Sequence, residues 1–157
     1  MRQTTKDLHC QLVKLGRALG FEARREVSDS LLRLRLDDAY QPRIDMLWSL
    51  PLDGPKREAI GWALGQQLHE GSHLPIVGIE VEGTTPSTKT MAADVANLAA
   101  AGVPLGLLVV SEAGERNIYR RAARVIRSVR RSFGDLRLLP VEASWLPELI
   151  SRPWPSS

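Results

Sequence analysis

Residues 75–83 constrain the fold most, because their side chains alternate strictly between β-branched and polar or small types. β-Branched residues occupy every second position, at Val77, Ile79 and Val81. The positions between them carry Gly78 and two carboxylates, Glu80 and Glu82. A period of two is typical of a β-strand with one apolar face. We therefore predict a strand whose other face holds two aligned carboxyl groups.

These two aligned carboxylates limit what can surround the strand. Like charges this close repel each other unless a proton or a cation lies between them. Gly83 follows Glu82 directly and ends the pattern. The strand therefore indicates either half of a metal site or a solvent-facing edge strand with two ordinary glutamates, and both interpretations are open at this point.

The chain before this strand is predicted to hold a helix, three strands and a second helix. Thr4 and Asp7 are spaced as a capping box, and leucines at helical spacing extend the first helix over residues 5–19. The three strands are predicted over residues 21–27, 32–36 and 43–48, and the second helix over residues 56–70. In that helix the predicted apolar stripe consists of Ile60, Ala63, Leu64 and Leu68.

The strand over 43–48 places one carboxylate among apolar residues. Ile44, Met46 and Trp48 are predicted on one face, and Asp45 on the other. A carboxylate inside so apolar a strand is unusual, because burying a charge without a partner is costly. Asp45 is therefore a candidate functional residue.

Helices and strands alternate after Glu82. Thr85 and Pro86 are typical of the N-cap and first residue of a helix, which is predicted over residues 86–101. The remaining elements are a buried strand over 105–110, a helix over 115–133, a strand over 136–141 and a short helix over 145–150. This order predicts an α/β fold with helices on both sides of a mixed sheet.

Composition narrows the class of protein further. A chain of 157 residues suits a single domain, predicted over 1–150 with a loose tail at 151–157. The net charge of +3 and the pI of about 9.4 are compatible with a polyanionic partner. The single cysteine excludes an intrachain disulfide. Apolar runs of about 18 residues and a signal-peptide core are both lacking, so we expect a cytoplasmic protein that does not bind membranes.

The order of elements and the positions of Asp45, Glu80 and Glu82 resemble the PD-(D/E)xK nuclease superfamily. That family has a three-layer restriction-endonuclease-like fold in the order α-β-β-β-α-β, with an Asp on one strand and (Asp or Glu)-x-Lys on another. Here Pro42-Arg43-Ile44-Asp45 corresponds to the first element and Glu80-Val81-Glu82 to the second. Glu82 stands where the family has lysine, as in the Glu-x-Glu variants of a few restriction enzymes. The resemblance covers residues 5–141, with 56–70 as a helical insertion.

The resemblance implies a Mg²⁺-dependent endonuclease that hydrolyses DNA phosphodiester bonds. Asp45, Glu80 and the backbone carbonyl of Val81 would hold the Mg²⁺ ion, and Mn²⁺ is expected to substitute for it. The ion would activate a bound water and stabilise charge on the scissile phosphate. Glu82 would bind a second metal ion or take the proton of the attacking water.

Further residues are implied at the two helices that flank the strands. Lys89, in the helix after the carboxylate strand, could replace the missing lysine and position the water or neutralise the phosphate, or it could be an ordinary solvated lysine. Ser87 and Thr88 lie where a phosphate could contact free N–H groups of that helix. Asp7 matches an acidic residue that some members carry near the first helix, although a capping role explains it as well.

The predicted helix over 115–133 carries seven arginines and no acidic residue between Arg116 and Arg131. Five of them fall within one stripe, namely Arg116, Arg120, Arg124, Arg127 and Arg131. Such a stripe suits phosphate contacts along a nucleic-acid backbone. It could also be a solvated face or a dimer surface that meets acidic partners.

Two other functional classes compete with the nuclease. His69-Glu70-Gly71-Ser72-His73 matches the HExxH pattern of zinc peptidases. We reject it, because Gly71 and Pro75 oppose the continuous helix that this zinc site needs. The runner-up is a catalytically silent module of the same fold that binds nucleic acid or serves assembly, and Glu82 in the lysine position keeps it open. A homodimer would suit the cutting of both strands of a duplex, but no sequence pattern indicates one.

Overall fold

The computed structural model describes residues 4–27, 43–65, 67–68, 70–83, 86–111, 117–133 and 137–152, without the side chains of Leu64 and residues 131–133. The strand predicted over 32–36 lies outside these residues. So do Pro42, Thr85 and Arg116, together with most of the tail predicted at 151–157.

The described residues form helices and strands in alternation. The helices are α1 (Thr5–Ala18), α2 (Gly54–Leu64), α3 (Thr88–Ala100), α4 (Ile118–Phe133) and α5 (Leu146–Ser151). The strands are β1 (Glu22–Val27), β2 (Ile44–Pro51), β3 (His73–Glu82), β4 (Leu105–Val110) and β5 (Arg137–Glu142). A short 3-10 turn, Ala143–Trp145, precedes α5.

The strands form one five-stranded mixed sheet in the order β1-β2-β3-β4-β5. β1, β2 and β3 pair antiparallel, while β3, β4 and β5 pair parallel. β3 is therefore the central strand, and its carboxylates do not lie on a sheet edge. The prediction of an α/β fold with a mixed sheet flanked by helices is confirmed.

Apolar side chains fill both faces of the sheet. On one face, residues of α3 and α4 pack against Leu47, Leu108 and Leu138. On the other face, residues of α1 and α5 pack against Met46, Trp48 and Ile79. Because both faces are covered, a charged side chain on a central strand is also taken out of water.

The first helix begins as predicted. The side chain of Thr4 accepts a hydrogen bond from the backbone N–H of Asp7, and the carboxylate of Asp7 accepts one from the backbone N–H of Thr4. This reciprocal pair is the predicted capping box. It fixes the N-terminus of α1.

The third helix begins later than predicted. Ser87 is its N-cap, because the Ser87 hydroxyl accepts a hydrogen bond from the backbone N–H of Thr90 at 3.0 Å. Pro86 therefore precedes the helix and is not its first residue. A hydroxyl that satisfies a free backbone N–H sets a helix boundary more strongly than the preference of proline for the first turn.

The predicted helix over 56–70 is wrong at its end and in its packing. α2 spans Gly54–Leu64 and stops at Gly65, which adopts the left-handed conformation with φ of 63°. Ala63 of the predicted stripe is exposed, and Leu68 lies beyond the helix and is half-buried. The helical insertion is therefore shorter than predicted, and its predicted apolar stripe is interrupted at the exposed Ala63.

The predicted face of Ile44 is also wrong. Met46 and Trp48 pack with α1, as expected, but Ile44 packs with Leu47 on the face that carries α3. The alternation of faces is interrupted between Ile44 and Met46, where the β2–β3 backbone pairing ends and side chains of Asp45 and Glu80 join the two strands.

Over the described ranges, no helix is long and apolar enough to cross a lipid bilayer.

Candidate functional site

The start of β2 lies beside the end of β3, because the two strands are antiparallel. Their backbone pairing extends from Met46 and Ile79 to Pro51 and His73, with one register shift between Trp48 and Ser49. Beyond the Met46–Ile79 pair, the backbone N–H of Asp45 donates to Glu80 Oε2 at 3.3 Å, and the backbone N–H of Val81 donates to Asp45 Oδ2 at 2.9 Å. Two carboxylates thus bridge the strands where the ladder of backbone hydrogen bonds ends, and the structure brings Asp45 and Glu80 together.

Glu80 is a buried acid at the centre of this arrangement. Only 4% of its surface is exposed. Burial raises the pKa of Glu80 to about 9, and the negative charges of Asp45 and Asp94 add to the rise. At neutral pH a carboxyl group with such a pKa holds a proton, unless a cation takes the proton's place.

Glu82 lies on the same face of β3 and meets a fourth acid, Asp94 of α3. Glu82 is buried, and burial together with a hydrogen bond from its carboxyl group to Asp94 raises the pKa of Glu82. Burial also raises the pKa of Asp94, while the bond to Glu82 opposes that rise. At neutral pH the raised pKa of Glu82 favours a protonated carboxyl group in this pair. We refer to Asp45, Glu80, Glu82 and Asp94 as the acidic cluster.

The acidic cluster has the oxygen donors of a site for a hard cation. Its carboxylate oxygens do not point toward one common position. Glu82 Oε1 is buried and has no hydrogen-bond partner among the described residues. Within that same part of the chain, no three His, Cys, Asp or Glu side chains form a group ready to hold a metal ion. A divalent cation would fit the charge and oxygen donors of the cluster. Its binding would require these side chains to lose their protons and turn toward it.

α3 contributes a polar stripe that sequence reasoning missed. Ser87, Thr90, Asp94 and Asn97 recur at helical spacing beside the inward face of Met91, Val95 and Leu98. Asn97 Nδ2 makes long contacts of 3.5 Å with Glu80 Oε1 and with the carbonyl oxygen of Arg43. The spacing of Asp94 and Asn97 was visible in the sequence, but their partners lie on other elements.

Lys89 lies on a different side of α3 from the acidic cluster. It is exposed in the first turn. At about 100° per residue it lies roughly 140° around the helix from Asp94. All lysines of the chain, Lys6, Lys14, Lys56 and Lys89, are exposed. The structure therefore does not bring Lys89 beside the carboxylates, and no other lysine is buried there.

Asp7 lies in the exposed cap of α1, where its carboxylate is engaged with Thr4. The residue of α1 that approaches the acidic cluster is His9, which sequence reasoning missed. His9 is 8% exposed. Burial lowers the pKa of His9, and the negative charge of Asp45 partly offsets that effect. In the sequence, His9 is a single histidine beside a stripe of leucines, and this pattern does not indicate that it lies near Asp45.

A hydrogen bond from Arg25 determines which ring nitrogen of His9 carries the proton. An amino group of the Arg25 guanidinium lies 3.0 Å from His9 Nδ1. Arginine can only donate, so Nδ1 must accept, and the proton of the neutral ring resides on Nε2. His9 Nε2 is buried and has no hydrogen-bond partner in the described part of the chain. α1 therefore presents a buried N–H donor near Asp45.

α4 separates apolar and basic residues onto opposite faces, as predicted. Its buried residues are Ile118, Ala122, Val125 and Ile126. Arg120, Arg124 and Arg127 of the predicted stripe are exposed, and so is Arg130. The side chain of Arg131 and all of Arg116 fall outside the description. Ser87 and Thr88, predicted as phosphate contacts, are exposed at the start of α3.

The HExxH letters do not continue as a helix. His73 is the first residue of β3, and its ring lies 3.1 Å from both the Glu22 carboxylate and the Arg24 guanidinium. Gly71 between the motif's ends has φ of 79°. A strand histidine held by β1 cannot share a helix face with a second histidine.

No protein-family model, curated protein or solved structure matches the chain.

Proposed function

We propose that this protein is a nuclease that hydrolyses phosphodiester bonds, most simply of DNA, with a divalent cation held by the acidic cluster. The observation that carries the proposal is the clustering of two buried acids, Glu80 and Glu82, with the half-buried Asp45 and Asp94 at one end of the β2–β3 pair. Buried acids without cationic partners cost stability. Proteins keep such clusters where a function needs them.

The choice of cation follows from the donor atoms. Carboxylate oxygens are the ligands that Mg²⁺ and Mn²⁺ prefer, whereas the chain has one cysteine and His9 is tied to Arg25. Asp45 and Glu80 would hold the ion, with Glu82 and the backbone carbonyl of Val81 next to them. A bound Mg²⁺ would lower the pKa of a water molecule and stabilise the charge that develops on the phosphate.

The residues of the chain then have separable roles. Asp45 fixes the distance between β2 and β3 through its bond to the Val81 N–H. Glu82 and Asp94 would share a proton in the metal-free protein, and once ionised this pair would accept the proton of an attacking water. Lys89, exposed at the start of α3, suits a contact with a substrate phosphate more than the positioning of that water.

The basic face of α4 supports nucleic acid as the substrate. Arg120, Arg124, Arg127 and Arg130 are exposed, and no acidic residue lies within α4. Arginine donors bind phosphate oxygens in pairs, and several in a row follow a polyanionic backbone. α3 packs beside α4 and carries Asp94, so one layer of helices connects the basic face with the acidic cluster.

We further propose that the sheet is a restriction-endonuclease-like core. Support comes from three antiparallel strands, β1 to β3, followed by β4 and β5 in parallel, and from carboxylates at the β2–β3 end. Glu-x-Glu in place of (Asp or Glu)-x-Lys is the departure from the family pattern.

A second candidate is a silent module that binds nucleic acid without cutting it. The exposed position of all lysines favours it, since no ammonium group lies within the acidic cluster. The two candidates differ in one property. A working site gains stability from Mg²⁺ or Mn²⁺, and a silent module does not.

The test is cleavage of supercoiled plasmid and of single-stranded DNA in Mg²⁺, Mn²⁺ and EDTA. Asp45→Asn and Glu80→Gln remove one charge each and keep the acceptor oxygens that bridge the strands. Glu58→Gln, on the exposed surface of α2, is the matched control. We expect cutting with either metal, loss of cutting in both site variants and full activity in the control.

Two outcomes would contradict the proposal. Absence of cutting by the wild-type protein, with DNA still bound, favours the silent module. Cutting that survives both site variants removes the acidic cluster from the reaction.

A further inference from the structure

An open cleft separates α3 from α4 on the outer side of the helix layer. Its volume is about 400 Å³, within the range of about 300–1,000 Å³ typical of small-molecule sites. Ala92 of α3 and Val125 and Val129 of α4 contribute apolar lining. Ala92 and Asp94 are two residues apart, so they point to different sides of α3. The cleft is therefore distinct from the acidic cluster.

The polar lining of the cleft consists of cations and hydroxyls. Arg121 and Arg124 of α4 contribute guanidinium groups, and Thr88 and Ser128 contribute hydroxyls. Arg121 is half-buried and donates to the carbonyl oxygen of Pro86 at 2.6 Å. That bond holds one guanidinium at the end of the cleft nearest the start of α3. Arg124 is exposed and can reach a ligand.

An apolar surface bordered by cations fits a ligand that combines a flat apolar body with a phosphate. A nucleotide has both parts, and its base packs on apolar side chains while arginine binds its phosphate. Exposed arginines continue along α4 outside the cleft, at Arg120 and Arg127. A strand with several phosphates uses these charges, whereas a free nucleotide cannot.

We propose that the α3–α4 cleft binds one unpaired nucleotide of a single-stranded nucleic acid, with the base on Ala92, Val125 and Val129 and the phosphate on Arg124 and Arg121. A base within a duplex is stacked and paired, so it cannot enter such a cleft. The inference rests on the proposed function in taking nucleic acid as the ligand. It adds that the substrate is single-stranded where it crosses α3 and α4.

The strand would reach the acidic cluster across the first turn of α3. That turn begins at Thr88 in the cleft and carries Lys89 on its exposed surface. Its backbone N–H groups and the lysine both favour a phosphate there.

The test measures binding of a fluorescent oligothymidine and of a duplex of equal length, by anisotropy in EDTA so that no cutting occurs. Arg124→Gln alters the cleft, and Arg120→Gln removes the same charge one turn earlier, outside it. We expect Arg124→Gln to weaken single-strand binding about tenfold or more and Arg120→Gln less than about threefold. Ala92→Leu fills the cleft without changing charge, and its control is Ala93→Leu at the neighbouring exposed position. Ala92→Leu is expected to weaken single-strand binding and to leave duplex binding unchanged.

Equal losses of single-strand affinity in Arg124→Gln and Arg120→Gln would overturn the inference. Attraction by the overall positive charge of α4 would be weakened equally by either substitution. Binding of the duplex as tightly as the single strand would overturn it as well. Cleavage is measured in a separate experiment in Mg²⁺, so that the two proposals can fail independently. Cutting without cleft-specific binding refutes the cleft alone, and cleft-specific binding without cutting refutes the nuclease alone.

Discussion

The Asp45 carboxylate accepts a hydrogen bond from the backbone N–H of Val81 at 2.9 Å. This bond joins β2 to β3 where their backbone pairing ends. The same residue donates its own N–H to Glu80 Oε2 at 3.3 Å. Asp45 is therefore both a candidate metal ligand and a structural link between two strands, and its two roles can be separated by substitution.

Asp45→Ala is expected to destabilise the fold, and Asp45→Asn is not. Alanine leaves the N–H of Val81 without its acceptor, which costs about 1–3 kcal/mol for a buried donor. Asparagine keeps an acceptor oxygen and removes the negative charge that disfavours ionisation of Glu80. Urea unfolding in EDTA at pH 8 measures both. An equal loss in the two variants would show that the charge of Asp45, not the acceptor, stabilises the strand pair.

The stability of the protein without metal is expected to fall as the pH rises. The pKa of Glu80 is raised from 4.5 to about 9, so the folded state keeps a proton that the unfolded state has lost between those values. The free energy of unfolding then decreases by up to about 1.4 kcal/mol per pH unit for such a group. The effect is absent below about pH 4.5 and complete above about pH 9.

Glu80→Gln isolates this contribution, because glutamine resembles the protonated acid at every pH. At pH 8 in EDTA we expect the variant to be more stable than the wild type, by on the order of 1–3 kcal/mol. The free energy of unfolding of the variant should change less between pH 6 and 8 than that of the wild type. Parallel pH profiles for the two proteins would show that Glu80 is ionised in the fold.

His9 is expected to be neutral at pH 7 with its proton on Nε2. Arg25 donates to Nδ1 at 3.0 Å, and burial lowers the pKa of the ring. Nitrogen-15 NMR of the labelled protein distinguishes the two tautomers. Arg25→Met removes the donor and should give a mixture of them. A proton on Nδ1 in the wild type would rule out the Arg25 contact.

Gly16→Ala is expected to disturb the contact between α1 and β2. A Cβ atom at Gly16 would lie 2.7 Å from Trp48 Nε1, closer than van der Waals contact allows. Displacing a buried tryptophan or the whole helix costs about 1–3 kcal/mol. Gly54→Ala, where no atom lies within 4 Å, is the control and should be nearly neutral. Thermal denaturation of both variants decides whether α1 docks this closely.

The strands could be predicted largely from the sequence, because their signals are local. Val77, Ile79 and Val81 alternate with the carboxylates, and β3 has that pattern of faces. The boundary of α2 was missed because the apolar spacing of the sequence continues to Leu68, whereas the left-handed Gly65 ends the helix. The face of Ile44 was missed because an alternating pattern cannot show where two strands part.

The acidic cluster could be predicted only in part. Asp45 and Glu80 stand in patterns that mark them, whereas Asp94 and His9 reach the cluster from helices. Their roles depend on how α1 and α3 dock on opposite faces of the sheet. That docking is set by contacts between residues far apart in the sequence, such as Leu98 with the position of Gly78.

The most direct test of the acidic cluster is a titration of the metal-free protein with Mn²⁺ at pH 8, followed by calorimetry. We predict saturable binding by the wild type and by Glu58→Gln, release of protons on binding, and loss of binding in Asp45→Asn and Glu80→Gln. Absence of Mn²⁺ binding by the wild type, or undiminished binding by both site variants, would contradict a metal-dependent function for these carboxylates.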